Sequence, residues 1–332
     1  MLINKTPFRV SFLGGGSDLP WFYEKNGGAV ISTSINLYMF LSVHRLFDSS
    51  SILLKYSKHE QVEFIENLNH PIAREILLEF GSKGIDVSVS ADVPAGSGLG
   101  SSSAFTVGLY DLIARFNGIH LTKQQIAEAA CRIEINKLGE PIGKQDQYAS
   151  AFGGMNLFVF NQDGTVKVRP IKIPENQFKK FNSSLYLIRT KGESRSASRI
   201  LQLQRDLGSK SRDIESVMTA MADLAIKSVE EIEADVFSLP SLINESWEMK
   251  KISNPMASTR EIDHIIKVAR ENGALGAKLL GAGESGFVLL ICDPEAISNV
   301  RAQLSEYKFL KVKMDLEGTR VLYEDANEPN EF

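Results

Sequence analysis

Pro94-Ala95-Gly96-Ser97-Gly98-Leu99-Gly100-Ser101-Ser102-Ser103-Ala104 is the stretch that decides the fold of this chain. Three glycines at alternate positions leave one side of a tight loop without Cβ atoms, so a ligand can approach the backbone N–H groups closely. Such a surface favours an anion. From Ser101 the pattern predicts a helix over residues 101–116, with Phe105, Leu109, Leu112, Ile113 and Phe116 on one face and Gly118 as its stop. The serines then fall in the first turn, where unpaired amides and the positive end of the helix dipole meet, a common setting for phosphate. Upstream, Ile85, Val87, Val89 and Ala91 alternate with polar residues and stop at Pro94, which reads as strand, loop, helix.

Two other phosphate loops do not fit. A Walker A loop needs a lysine directly after its last glycine, and Gly100 is followed by Ser101. The dinucleotide fingerprint is G-x-G-x-x-G, whereas Gly96, Gly98 and Gly100 give G-x-G-x-G, so a dinucleotide-dependent oxidoreductase lacks its signature. A plain glycine-serine turn ahead of a helix is the alternative for the loop taken alone. The whole eleven-residue run resembles the second motif of the galactokinase, homoserine kinase, mevalonate kinase and phosphomevalonate kinase (GHMP) superfamily. The resemblance implies a two-domain α+β fold, with an N-terminal domain like the second domain of ribosomal S5 over residues 1–182, a ferredoxin-like C-terminal domain over residues 183–332, and the active site between them. It implies ATP phosphates resting on Pro94, Gly96, Ser97, Gly98, Leu99, Gly100, Ser101 and Ser102.

Nearer the N-terminus, Phe8, Val10 and Phe12 alternate with Arg9 and Ser11, a strand pattern that ends at Gly14-Gly15-Gly16-Ser17-Asp18. A carboxylate just past a glycine turn either meets a ligand or bonds its own backbone. Residues 7–18 resemble the first superfamily motif. In galactokinase-like members the matching carboxylate binds sugar hydroxyls and the matching arginine lies near the reacting hydroxyl. The resemblance thus implies substrate contacts from Gly15, Gly16, Ser17 and Asp18 and a catalytic role for Arg9. Gly15-Gly16 stand where galactokinases carry an acidic residue and a histidine, which turns the expectation away from galactose.

Thr122-Lys123-Gln124-Gln125 is a capping box opening a second helix that is expected to run to about Leu138, with Gly139 as its stop. Ile126, Ala130, Ile133 and Lys137 trace its inner stripe, and Glu134 falls on that stripe. A carboxylate on an apolar face needs a partner: Arg132 or Lys137 as a salt bridge, or a hard dication. Twelve positions on (146 minus 134) stands Asp146, in Gly143-Lys144-Gln145-Asp146-Gln147-Tyr148, a polar segment that reads as a connection. Galactokinases carry a glutamate and an aspartate at this separation, the aspartate followed by glutamine. The resemblance implies Mg²⁺ held by Ser102 and Glu134, and Asp146 binding the acceptor hydroxyl and taking or orienting its proton. Lys278-Leu279-Leu280-Gly281-Ala282-Gly283-Glu284-Ser285-Gly286, feeding an apolar run, resembles the third motif and implies substrate and phosphate contacts from Gly281 and Gly283. At residues 191–199 basic and hydroxyl residues meet a helix start, either gripping a second phosphate, with Arg195 as its ligand, or forming a solvated cap.

The composition is that of an ordinary globular protein. The chain has 332 residues, 43% hydrophobic and 23% charged, with a net charge of −4, which argues against nucleic-acid and anionic-membrane partners. Cys131 and Cys292 read as reduced, buried residues, and the five histidines show no ligand spacing. With no leader-like or bilayer-length apolar run, the expected location is the cytoplasm, and the chain is compatible with a homo-oligomer. Residues 174–184 read as a linker, Ile214 to Ile232 as one amphipathic helix, and residues 325–332 as a frayed acidic tail.

The triple glycine and the segment at 143–148 resemble most the branch holding D-glycero-D-manno-heptose 7-phosphate kinases and fucokinases. That implies ATP-dependent phosphorylation of an anomeric hydroxyl for nucleotide-sugar synthesis, with the heptose phosphate first and fucose or another neutral sugar second. Lys191, Arg195 and Arg199 favour an acceptor already carrying phosphate. A non-catalytic sugar sensor is disfavoured, because Ser102, Glu134 and Asp146 are all present. Asp146→Asn is expected to cost turnover and to leave stability nearly unchanged.

Overall fold

Alternating apolar residues build two sheets. In the computed structural model, which describes residues 1–47, 50–192, 197–208 and 211–325, the first sheet is organised on Leu2–Leu13 (β1) and Gly28–Arg45 (β2), paired antiparallel along their length. β2 is long enough to take two partners on its other edge. Ile85–Ala91 (β5) pairs with its second half and Met155–Phe160 (β6) with its first. Ile52–Lys55 (β3) lies parallel to β5 and carries His59–Val62 (β4), while Val166–Pro170 (β7) pairs with β6. The helix Ser101–Phe116 forms over the span expected and packs its apolar face on β1 and β2.

Leu185–Arg189 (β8), Ala274–Leu279 (β9), Phe287–Cys292 (β10) and Lys308–Lys311 (β11) form a second, antiparallel sheet in the order β11-β8-β10-β9. Counted within the unit that order is fourth-first-third-second, the ferredoxin-like arrangement. Both faces are covered: Phe287, Leu289 and Ile291 join the main core, and Val288, Leu290 and Cys292 pack with Ile262, Ile265 and Ile266 of helix Arg260–Glu271. Cys131 and Cys292 are free and buried. No helix among the described residues is long and apolar enough to cross a membrane.

The expected domain limits need correcting at one end. β8 begins just past residue 183, but Arg320–Glu324 (β12) returns to the first sheet and pairs with β1, Leu2 opposite Glu324 and Lys5 opposite Arg320. Residues 320–324 therefore belong with the first sheet, not with the C-terminal unit. Three local expectations also change. Residues 174–184 are not a linker but hold helix Glu175–Asn182, because Phe178 and Phe181 lie three apart and dock on the core. The long amphipathic helix divides at Ser228, whose hydroxyl donates to Leu224 O at 2.6 Å, into Arg212–Lys227 and Val229–Ala234. The capping box at Thr122 forms, but the helix it opens is α only over Lys123–Cys131 and continues as a π-helix over Arg132–Lys137. Such wide turns recur at functional sites.

Candidate active site

A cavity of about 630 Å³ opens where the glycine loop, the first turn after β1 and the turn before β10 converge. β1 sends Phe8, Val10 and Phe12 into the core, and Arg9 and Ser11 on its other face line the cavity. Arg9 holds Asp146 in a two-pronged grip, Nε donating to Oδ1 at 2.6 Å and Nη2 to Oδ2 at 2.7 Å. Its third prong, Nη1, donates to Gly98 O at 2.7 Å, tying the pair to the glycine loop. Such planar forks fix a carboxylate in orientation as well as in charge. Asp146 is not in a connection, as its polar surroundings suggested, but in the first turn of helix Gln145–Phe152. The apolar face of that helix begins only at Tyr148, so its start carries no hydrophobic signal; the helix dipole favours a carboxylate there.

Asp18 is buried beside this pair. Its Oδ1 accepts from Gly16 N at 3.0 Å and its Oδ2 from Gln145 N at 3.2 Å. Burial, and secondarily the charge of Asp146, push its carboxyl above the ordinary value. Gly143 leaves the space that Asp18 fills: a Cβ there would lie 1.8 Å from Asp18 Oδ2. Gly143→Ala must displace that carboxylate. If Asp18 contacts a bound substrate, the variant raises that substrate's KM about tenfold or more, with a stability loss of order 1–3 kcal/mol; an unchanged KM would speak against that contact.

Glu134 sits in the π-helix and is fully buried. Its Oε1 accepts from Ser102 Oγ at 2.7 Å and its Oε2 from Gln147 Nε2 at 2.7 Å. Burial pushes its carboxyl up to about 7, and the hydrogen bonds from Ser102 and Gln147 only partly oppose this. The salt-bridge alternative fails: Arg132 binds Glu79 at 2.6 Å, and Lys137 lies 3.7 Å from Glu75 and 3.5 Å from Glu79. A hydroxyl and a carboxylate on one cavity wall are hard oxygen donors of the kind Mg²⁺ accepts when substrate phosphates supply the rest. No group of three or more His, Cys, Asp or Glu able to hold a metal forms among the described residues.

The glycine loop faces the cavity with Gly96, Gly98, Gly100, Ser101 and Ser102. Gly98, at φ +79°, allows the turn from the second sheet to close on it: a Cβ on Gly98 would lie 2.8 Å from Leu280 O, and one on Gly281 2.7 Å from Gly98 Cα. Gly15, Gly16, Asp18, Asp146 and Gly281 also line the cavity, but not every residue of the motifs does. Pro94 is exposed outside it; Ser97 and Leu99 are fully buried, Leu99 in the main core. Ser17 locks its own turn, its hydroxyl donating to Gly14 O at 2.8 Å and Ala29 O at 3.0 Å. Gly283 abuts the backbone of Met256 instead of the cavity. Lys191 stands over the Tyr307 ring, its Nζ 3.9 Å from Glu306. Arg195 and the Arg199 side chain lie outside the described residues.

Two stretches match family models: residues 67–154 the GHMP kinases N terminal domain, and residues 225–308 the GHMP kinases C terminal domain. The D-glycero-alpha-D-manno-heptose 7-phosphate kinase of Campylobacter jejuni is 31% identical over 93% of this chain and 96% of its own. The chain is a GHMP kinase. It is thus a phosphotransferase with an alcohol group as acceptor, in a family that uses ATP. A galactokinase of Thermotoga petrophila is 24% identical over 91% of this chain and 92% of its own. Among solved structures, a D-glycero-D-manno-heptose 1-phosphate kinase from Bacteroides thetaiotaomicron superposes with a TM-score of 0.77 at 23% identity, covering 98% of this chain and all of that one, a likeness of fold.

Four further residues of this GHMP kinase belong to the cavity or its wall and carry no assignment from the motifs. Gln145 fixes Asp18 and Gln147 fixes Glu134. Lys278 is buried and donates to Phe12 O at 2.8 Å, crossing from β9 to β1; burial drives its ammonium well below the usual range. Lys250 donates to Gly281 O at 2.6 Å. A signal for Lys250 exists in the sequence: it falls three after Trp247 and seven after Ile243, on the buried stripe of helix Leu239–Ser253.

Proposed function

We propose that this GHMP kinase transfers the γ-phosphoryl group of ATP, as its Mg²⁺ complex, to the anomeric hydroxyl of a sugar, D-glycero-D-manno-heptose 7-phosphate before others, in the cytoplasm. The observation that carries this is the two-pronged Arg9–Asp146 pair beside buried Asp18, at the edge of a bare glycine loop. Asp146 receives or orients the proton of the acceptor hydroxyl, and Arg9 keeps that carboxylate aimed and balances its charge. Asp18, backed by Gly16 and Gln145, takes the neighbouring hydroxyls of the acceptor. The amides of residues 96–102 face the triphosphate. Ser102 and Glu134 would hold Mg²⁺, which neutralises phosphate charge during transfer. The rest of the rate enhancement is positioning in a partly closed cavity.

The 31% identical heptose 7-phosphate kinase supports the heptose. A neutral sugar such as fucose is the second reading, favoured because Lys191, one of the three basic residues expected to grip an acceptor phosphate, is engaged with Glu306 and Tyr307 away from the cavity. A panel of heptose 7-phosphates, fucose, galactose and mannose with ATP and Mg²⁺, the product phosphate located by NMR, tests both. Turnover of the heptose phosphate at its anomeric position is the result expected; turnover of neutral sugars alone selects the second reading, and phosphorylation of no sugar rejects both.

A further inference from the structure

Helix Leu239–Ser253 carries two adjacent lysines with opposite fates. Lys251 pairs with Glu248 at 2.8 Å near the surface. Lys250 points the other way, into the cavity, and among the described residues it makes no salt bridge; its bond is to a neutral carbonyl, Gly281 O. A cation turned inward without an acidic partner is costly, and burial with the nearby charge of Arg9 lowers its ammonium to about 8. Lys278 is a second inward amine close by, its ammonium driven well below the usual range by burial and by the charge of Lys250. Asp18, Asp146 and Glu134 line the same cavity, and the charge of Asp18 partly opposes the shift, but none of them pairs with Lys250, whose ammonium is left to meet a negative charge that a bound group brings.

Position narrows what that group is. Gly281, which holds Lys250, lies against Gly98; Gly98 O takes Arg9 Nη1; and Arg9 grips Asp146. Lys250 thus stands at the reacting end of the cavity, whereas the phosphate of a sugar 7-phosphate lies at the far end of the molecule from its anomeric hydroxyl. We propose that Lys250 is a catalytic residue that grips the non-bridging oxygens of the phosphoryl group during its transfer from ATP to the acceptor. This rests on the phosphotransfer proposed above. In that step the acceptor oxygen forms the new P–O bond, the bond between the γ-phosphorus and its bridging oxygen breaks, the electron pair leaves on ADP, and the hydroxyl proton goes to Asp146. The ammonium of Lys250 exchanges no atoms and meets the charge spreading over the three equatorial oxygens.

Lys250→Met, Lys250→Arg and Lys251→Met, measured with the acceptor that the wild-type protein turns over, separate this role from others. In Lys250→Met we expect kcat to fall about 10- to 10²-fold with both KM values within about threefold of wild type. Lys250→Arg should recover part of kcat, and Lys251→Met should match wild type. The melting temperature of Lys250→Met should equal or exceed that of wild type, because an unpaired inward charge is removed; a clear drop would mark Lys250 as a structural tie and overturn the proposal. A rise in acceptor KM at unchanged kcat would place Lys250 on the bound sugar and also overturn it. A second measurement needs no acceptor: MgADP affinity alone and with aluminium fluoride, a mimic of the transferring group. The gain from aluminium fluoride should shrink in Lys250→Met while MgADP affinity holds; an undiminished gain rejects the role of Lys250. Absence of any sugar turnover by wild type with that gain intact rejects the sugar assignment instead.

Discussion

Asparagine in place of Asp146 is expected to lower turnover by about 10²–10⁴-fold, the range for loss of a positioned proton acceptor. The amide cannot take a proton, and it offers Arg9 one acceptor oxygen where the carboxylate offers two. For that second reason the variant should also melt a few degrees lower, contrary to the expectation drawn from sequence that stability would be spared. The Arg9 side chain is only 5% exposed, and a buried guanidinium that loses an acceptor costs about 1–3 kcal/mol. Relief at Asp18, whose carboxyl is pushed up partly by Asp146, offsets some of this. Steady-state kinetics beside a thermal melt check both effects, and near-normal turnover in a folded variant would take Asp146 out of the chemistry.

With Glu134 in the role proposed for it, as a carboxylate that would hold Mg²⁺, Glu134→Gln is expected to lower turnover by about 10²–10³-fold, corresponding to several kcal/mol of phosphate charge left without that ligand. Its effect on the ligand-free fold has the opposite sign. Burial raises the Glu134 carboxyl from 4.5 to about 7, so between those values the folded protein holds a proton that the unfolded chain has lost. The contribution of this group to stability is therefore fully present below about pH 4.5 and is lost as the pH rises to about 7. Glutamine does not titrate. It can also accept from Gln147 with its oxygen and donate to the Ser102 hydroxyl with its nitrogen, keeping both contacts. The variant should match wild type near pH 4 and exceed it at pH 8 by an amount of order 2–3 kcal/mol. Melting curves at the two pH values, without nucleotide or metal, read this directly; a lower stability at pH 8 would show that the site does not penalise the charge.

What the sequence disclosed was what depends on near neighbours. The glycine loop, the helix after it, the capping box at Thr122 and the strand carrying Arg9 are each set by contacts within a few residues, and each is found where the pattern put it. Glu134 and Asp146 were singled out through family motifs, and both line the cavity; their hydrogen bonds to Ser102, Gln147 and Arg9 come from elements that meet only in the folded chain. Ser17 and Leu99 sit inside the motifs yet serve turn and core, because a short loop facing a ligand must turn alternate side chains inward. Lys250 was hidden for the converse reason, since a lysine pair at the end of a helix is the ordinary mark of a wet surface. The return of β12 leaves no local trace, because its partner is the first strand of the chain.

That return has a consequence for biosynthesis. The backbone of Asp325 reaches Met1, Thr319 binds Ser150 and Gly154 binds Asp315, so residues 315–325 fasten both the opening strand and the far end of the helix that presents Asp146. A ribosome making this protein thus exposes an unfinished first sheet, the β1 edge unpaired, until residues 320–324 have emerged, about 300 residues after the strand they complete.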